Sequence, residues 1–188
     1  MPELKKKSLF SLRTMVCCAM MIAVAVVMAR LMSVVPDKSS RFSLESIPIF
    51  VSGMLFGPVA GALVGFTSDL IGCLLFSAYV YNPLFCLPPV VCGVCAGLFR
   101  KYLFKKTNVF RIALAFLPYI LFACILWQSL MFTLVEGGDA KTAYFLTKLA
   151  TRSVQFGITY VIDVILVWIL YKSKVFTAAK LWPVEKDI

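Results

Sequence analysis

Five polar side chains recur at helical spacing near the carboxyl end of the chain. They are Lys148, Arg152, Gln155, Thr159 and Asp163. Steps of three and four residues put all five on one face of an otherwise apolar helix. Polar groups at membrane depth face the protein interior or a wet cavity. The pattern therefore predicts an inward-facing stripe with two cations toward one end and a carboxyl group three turns away.

The two cations of this stripe have a structural and a functional interpretation. Lys148 and Arg152 could extend to lipid headgroups or pair with Glu45 and Asp69. Alternatively, they receive an anionic ligand, because a guanidinium group can bind a carboxylate through two parallel hydrogen bonds. We favour the ligand interpretation.

Further ligand-binding candidates occur in the loops and helix ends that the topology below places at the same end. They are Arg30, Tyr79, Tyr81, Asn82, Trp127 and Gln128. Aromatic rings stack on flat ligands, and amides pair with ring nitrogens and carbonyls as donors and as acceptors. The set suits a flat heteroaromatic ligand that carries a carboxylate.

The composition indicates a membrane domain. Hydrophobic residues make up 61% of the 188 residues, charged residues only 15%, and the mean hydropathy is +0.92. Apolar stretches of about 20 residues, long enough to cross a bilayer as a helix, recur along the chain. We predict one all-helical transmembrane domain over residues 1–188 with six spans. The spans run from about Leu9 to Met32, Phe42 to Leu55, the Gly57-Pro58 turn to Ala78, Leu84 to Phe99, Ile112 to Leu134 and Thr142 to Tyr171.

Prolines and polar residues modify several of these segments. Pro48 is expected to interrupt the second helix, and the Pro88-Pro89 pair to bend the fourth. The polar segment from Ser33 to Arg41 is expected to be an exposed loop, either a mobile lid or a fixed cap. Residues 100–111 are expected to form a basic loop.

The positive charges set the predicted orientation. Thirteen of the nineteen lysines and arginines fall in the leader, in residues 100–111 and in the tail. Cytoplasmic segments carry such an excess, so both termini are predicted to be cytoplasmic in a plasma membrane. The net charge of +10 is thereby explained without a nucleic-acid partner.

One helix is predicted to be a packing centre. Gly57, Gly61 and Gly65 lie four residues apart, which lets another helix approach closely, and Asp69 continues the spacing. Together with Asp163, these residues are predicted to form the structural and polar core.

Small residues also recur on the first helix. Ala19 and Ala23, and again Ala25 and Ala29, are four residues apart and form surfaces suited to close helix contact.

Several catalytic signatures are missing from the sequence. It contains no histidine, no phosphate-binding G-x-x-x-x-G-K-[ST] motif and no G-x-S-x-G nucleophile motif. The Cys92 and Cys95 pair is a weak metal signal without a second pair. We therefore expect no enzymatic activity, cofactor or metal.

The glycine helix and its surroundings resemble a known family. The residues that carry the resemblance are Leu55–Gly61, Gly65 and Ser68–Gly72, preceded by Arg41–Ser43 and Ile47-Pro48. They resemble the substrate-binding S component of energy-coupling factor (ECF) vitamin transporters, most similar to the folate-specific branch. The resemblance implies a bacterial protein that captures its vitamin from outside. It also implies association with a membrane scaffold subunit and two ATPases, and release by toppling within the bilayer.

The resemblance also implies roles for particular residues. Ala19 and Ala23 match the A-x-x-x-A surface that meets the scaffold. If the ligand is folate, Lys148 and Arg152 suit its glutamyl carboxylates or cap the pocket mouth. Asn82 and Gln128 suit the pterin edge.

Other functions remain as alternatives. Leu126-Trp127-Gln128-Ser129 departs from the Asn-Thr pattern of folate-type members, which leaves riboflavin or a queuosine precursor as alternative ligands. A small secondary transporter would use Asp69 or Asp163 as its coupling-ion site. A ligand-free accessory subunit would use the polar stripe only between helices.

Overall fold

The computed structural model describes residues 12–30, 34–37, 40–42, 44–76, 83–105, 108–136 and 141–173. Within these ranges the chain is helical apart from one short β hairpin. The elements in order are α1 (Leu12–Arg30), β1 (Val34–Asp37), β2 (Ser40–Phe42), α2 (Ser46–Phe56), α3 (Pro58–Phe76), a 3₁₀ turn (Pro83–Cys86), α4 (Leu87–Leu98), α5 (Arg100–Lys105), α6 (Val109–Pro118), a π-helical segment (Tyr119–Trp127), α7 (Gln128–Glu136) and α8 (Lys141–Lys172). The predicted helical class is confirmed.

Among the described residues, three helices are long and apolar enough to cross a membrane. They are Pro58–Leu75, Val109–Val135 and Lys141–Lys172. Three shorter apolar helices accompany them, at Thr14–Ala29, Ser46–Phe56 and Leu84–Leu98. All six lie within or overlap the six segments that the hydropathy pattern predicted.

The predicted effects of the prolines in the second and fourth helices need correction. α2 begins at Ser46, so Pro48 lies in its first turn and does not interrupt it. Pro88 and Pro89 likewise occupy the first turn of α4, after the 3₁₀ turn. The first turn of a helix has no intrahelical acceptor for its N–H groups, so proline is tolerated there. These prolines therefore lie at the starts of helices, where they neither interrupt α2 nor bend α4.

Two predicted loops contain regular structure. The segment from Ser33 to Arg41 was expected to be a loop, but β1 and β2 pair there as an antiparallel hairpin. The β-branched Val34 and Val35 favour a strand. The basic segment from Arg100 to Arg111 includes the short helix α5.

The helix from Val109 to Glu136 changes its hydrogen-bond pattern in the middle. Pro118 ends α6, and the nine residues that follow are π-helical before α7 resumes the α-helical pattern. Proline offers no N–H to the ladder, which permits the shift in register. π-Helical turns are rare and frequently lie at functional sites. Here the segment ends immediately before Gln128.

Glycines bring α2, α3 and α4 into backbone contact. A Cβ on Gly61 would lie 2.5 Å from the carbonyl oxygen of Gly93, and a Cβ on Gly65 would collide with the Pro89 carbonyl. Gly57 links α2 to α3 with a positive φ of 102°, a conformation that glycine adopts at no steric cost. α3 and α4 run antiparallel, because Gly61 meets Gly93 while Gly65 meets Pro89. The predicted role of the glycine helix in close contact is confirmed.

The two alanine pairs of α1 face in different directions. Ala25 and Ala29 are buried within this chain, whereas Ala19 and Ala23 are exposed. The exposed pair lies among apolar neighbours such as Met20. Of the two pairs, Ala19 and Ala23 therefore form the small-residue surface that another protein can reach.

Candidate functional site

Arg152 is the centre of a polar cluster in the bundle. It lies on α8, only 5% of its side chain is exposed, and its Nη1 donates a 2.5 Å hydrogen bond to Oε1 of Gln128 at the start of α7. Its guanidinium carbon lies 4.5 Å from the centre of the Phe132 ring. A charge buried to this extent requires partners that repay its lost hydration. These contacts therefore hold the Arg152 side chain in one position.

Lys148 lies one turn away on the same face of α8. Its Nζ is 5.6 Å from the centre of the Phe132 ring and 5.2 Å from that of Tyr144. Ammonium groups are attracted to ring faces at such distances. Phe132 is thus shared by both cations, and they converge on one patch.

The 3₁₀ turn at Pro83–Cys86 completes this patch. Phe85 contacts Phe132 edge to face, with ring centres 4.8 Å apart. The indole nitrogen of Trp127 donates a 2.8 Å hydrogen bond to the Leu84 carbonyl. These contacts attach the turn to the end of the π-helical segment. We call Phe85, Trp127, Gln128, Phe132, Tyr144, Lys148 and Arg152 together the cationic cluster.

The polar stripe continues inward from the cationic cluster. Gln155, Thr159 and Asp163 are all buried, so the prediction that the stripe faces inward is confirmed for them and for Arg152. The Thr159 hydroxyl donates to the Gln155 carbonyl within α8. The Ser46 hydroxyl, at the first residue of α2, donates to Oδ2 of Asp163. Asp163 thus joins α8 to α2.

Asp69 lies apart from this stripe, near the end of α3. It is half-buried, and its Oδ1 lies 3.9 Å from the Cys73 thiol one turn later. Among the residues that the structure describes, no group of three or more cysteine and acidic side chains is arranged to hold a metal ion.

The structure brings together some of the predicted ligand-binding residues. Gln128 and Arg152 are in direct contact, and Trp127 and Lys148 belong to the same cluster. Arg30 is the last residue of α1, but its side chain lies outside the described part. Tyr79, Tyr81 and Asn82 also lie outside the described residues, immediately before the 3₁₀ turn.

Sequence reasoning missed the phenylalanines of the cluster. Phe132 follows Gln128 by four residues, so helical spacing already placed them on the same face. No local spacing predicted the contacts of Phe85 and Ser46. Their partners, Phe132 and Asp163, lie 47 and 117 positions away in the sequence.

The arrangement can bind an anion that also carries an aromatic group. Two cations lie near rings, and a guanidinium offers several donors in one plane. Gln128 accepts from Arg152 through its oxygen, which leaves its amide NH₂ as a donor.

Comparisons with known proteins give the family of the chain. A family model described as ECF-type riboflavin transporter, S component, matches residues 9–172. The folate transporter FolT of Clostridium novyi (strain NT) is 32% identical over 144 residues, covering 77% of this chain and 81% of that protein. A crystal structure of FolT bound with folic acid has a TM-score of 0.70 and 26% identity, covering 85% of this chain and 93% of that chain.

The family match extends from α1 to the end of α8, and so includes both the glycine contacts and the cationic cluster. With its series of apolar helices, this chain belongs to the S components of ECF-type transporters, in the family described by the riboflavin transporter model.

Proposed function

We propose that this chain binds folate within the membrane and delivers it for ECF-type uptake. The observation that carries the proposal is the buried Arg152, held by Gln128 and Phe132 with Lys148 beside it. Folate combines a flat pterin with a glutamate that has two carboxylates. The two cations suit the glutamate, and aromatic and amide groups suit the rings.

The family model and the relatives carry the names of different vitamins, and charge distinguishes between these vitamins. Riboflavin has a flat ring system and a neutral ribityl chain, whereas folate is a dianion at neutral pH. Two cations held close together repel each other, and an uncharged ligand does not offset this unfavourable free energy. The similarity to FolT over most of the chain supports the same choice. Riboflavin remains the second candidate, because the matching family model bears its name.

The remaining predicted site residues complete the proposed pocket. Tyr79, Tyr81 and Asn82 precede the 3₁₀ turn that contributes Phe85 to the cationic cluster and whose Leu84 carbonyl accepts a hydrogen bond from Trp127. Arg30 ends α1 just before the hairpin. We propose that Asn82 and Gln128 bind the pterin edge and that Arg30 and the two tyrosines line the entrance.

The proposed topology follows from the charges and the helices. The chain forms a single domain of six spans in a bacterial plasma membrane, with both termini in the cytoplasm. The cationic cluster then opens to the outside, and residues 100–111 face the cytoplasm. The chain itself carries out no catalysis, and a scaffold subunit and two ATPases supply the energy of uptake.

We expect Ala19→Leu with Ala23→Leu to abolish uptake and leave vitamin binding intact. The added side chains would keep a scaffold helix from approaching this exposed surface of α1. The measurement is co-purification of the ATPase complex, alongside folate affinity of the isolated chain. Ala150→Leu, at an exposed position of α8, is the matched control. Normal assembly of the double variant would contradict the scaffold assignment.

The proposed ligand is tested by thermal unfolding of the purified chain with folate, riboflavin, thiamine, biotin and a queuosine precursor. A ligand that binds only the folded state at one hundred times its Kd stabilises that state by about 2.7 kcal/mol. We expect folate to raise the unfolding midpoint most. A rise with riboflavin alone would show that the ligand is riboflavin and not folate. No rise with any of the vitamins would refute the binding proposal.

A further inference from the structure

A groove on the surface of the bundle runs along α3 and α4. It is lined by apolar side chains from both helices, namely Pro58, Val59, Ala62, Leu63, Phe66, Val90 and Val94. Val59 and Leu63 are more than half exposed, whereas Ala62 is half-buried and is the smallest of the lining side chains. The cavity between the two helices has a volume of about 490 Å³. The groove can therefore hold a hydrocarbon chain.

The close contact of the two helices determines where the groove begins and ends. A Cβ on Gly65 would lie 3.1 Å from the Val90 nitrogen, and a Cβ on Gly97 would collide with the Pro58 nitrogen. The groove thus ends where α3 starts and α4 finishes. From Pro58 to Phe66 it covers eight helical steps, or about 12 Å. That length is close to half of the hydrocarbon core of a bilayer, which is about 30 Å thick. The groove therefore matches one leaflet.

A cation lies at the end of the groove where α3 starts. Nη1 of Arg100, the first residue of α5, is 3.8 Å from the position of a Cβ on Gly57, which directly precedes Pro58. Arg100 is half-buried. A guanidinium group binds phosphate oxygens through paired hydrogen bonds. In the proposed topology this end faces the cytoplasm, where anionic lipids attract basic residues beside the helix ends.

We propose that the groove binds an anionic phospholipid of the cytoplasmic leaflet, with one acyl chain along α3 and α4 and the phosphate at Arg100. The acyl chain fills the groove through van der Waals contacts. Other lipids offer the same hydrocarbon, so the charge of the headgroup provides the selectivity. Phe85 of the cationic cluster precedes the opposite end of α4, so the lipid site is separate from the proposed vitamin site.

The headgroup contact is tested by native mass spectrometry of the detergent-purified chain with dioleoyl phosphatidylglycerol or dioleoyl phosphatidylcholine. These two lipids have the same acyl chains and differ in net charge. We expect the unmodified chain to bind the anionic lipid about fivefold more tightly, and Arg100→Gln to bind both alike. Arg111→Gln is the matched control, because Arg111 is held against Tyr102 and does not line the groove. It should keep the preference.

The acyl-chain contact is tested by filling the groove. Val59→Trp adds a large side chain to its exposed wall, so this variant should fold and bind both lipids several-fold more weakly. Val154→Trp makes the same change at an exposed position of α8 and should leave binding unchanged. Ala62→Leu provides a second variant that fills the groove. Each variant is first shown to be monodisperse and to unfold cooperatively.

Equal binding of the two lipids to the unmodified chain would overturn the proposal, as would the same loss of preference in Arg111→Gln. Unaltered lipid binding in folded Val59→Trp and Ala62→Leu proteins would overturn it as well. If those variants bind lipid normally but no longer co-purify with the scaffold subunit, the groove receives a helix of the scaffold and not a lipid. The lipid measurements contain no vitamin, so their outcome is independent of the proposed function.

Discussion

Arg152→Ala is expected to weaken folate binding by about 3 kcal/mol, or roughly a hundredfold in Kd. The substitution removes the buried guanidinium that we assign to a glutamyl carboxylate. It also removes the donor to Oε1 of Gln128 and the cation above the Phe132 ring. Isothermal titration of the folded variant with folate measures the loss. Arg152→Lys keeps the charge but not the planar pair of donors, so its loss should be intermediate.

Arg111→Ala is the matched control for this experiment. Arg111 also lies 4.5 Å from an aromatic ring, that of Tyr102, and donates a 3.0 Å hydrogen bond to the Tyr102 carbonyl. It lies in α6, beyond the π-helical segment from the cationic cluster. We expect the Arg111→Ala protein to bind folate with the same affinity as the unmodified chain. Unaltered affinity in a folded Arg152→Ala protein would refute the role of Arg152 in binding.

Gly61→Leu is expected to prevent the bundle from folding, a loss of more than about 3 kcal/mol. Any Cβ at this position would lie 2.5 Å from the Gly93 carbonyl oxygen and 2.7 Å from the Gly53 Cα. Backbone atoms cannot yield as a flexible side chain can, so α2, α3 and α4 would have to separate. Yield of monodisperse protein in detergent and the midpoint of thermal unfolding measure the effect.

Gly157→Ala provides the comparison for the glycine prediction. Among the described residues, no atom outside the local backbone of α8 lies within 4 Å of a Cβ built at Gly157, which is exposed on α8. Because alanine favours helices by about 1 kcal/mol over glycine, this variant should be as stable as the parent or slightly more stable. A stable, folded Gly61→Leu protein would show that the close contact of α3 and α4 is not required.

Sequence periodicity predicted much of the fold because membrane helices must be long, apolar and internally hydrogen-bonded. The bounds of α8 agree within one residue with the predicted helix from Thr142 to Tyr171. The proline assignments failed for a physical reason. A proline is equally compatible with the first turn of a helix and with a kink, and only the position of the helix start distinguishes the two.

The site could be predicted in part for similar reasons. The stripe on α8 requires only local spacing, so Arg152 and its inward direction followed from the sequence. The contact between Arg152 and Gln128 also depends on the π-helical segment before Gln128, which turns α7 relative to α6. No local sequence pattern predicted the π-helical segment. The bond between Ser46 and Asp163 joins residues 117 positions apart and depends on the arrangement of the whole bundle.

Equilibrium titration of the purified chain alone, without scaffold or ATPases, tests the central claim most directly. The ligands are folate, pteroate (which lacks the glutamate) and riboflavin. We expect folate to bind one to one and most tightly. Pteroate should bind more weakly, because it carries one carboxylate in place of two and so loses part of the proposed pairing with Lys148 and Arg152. Riboflavin should bind weakest of all. Binding of riboflavin in preference to folate, or equal binding of folate and pteroate, would contradict the account.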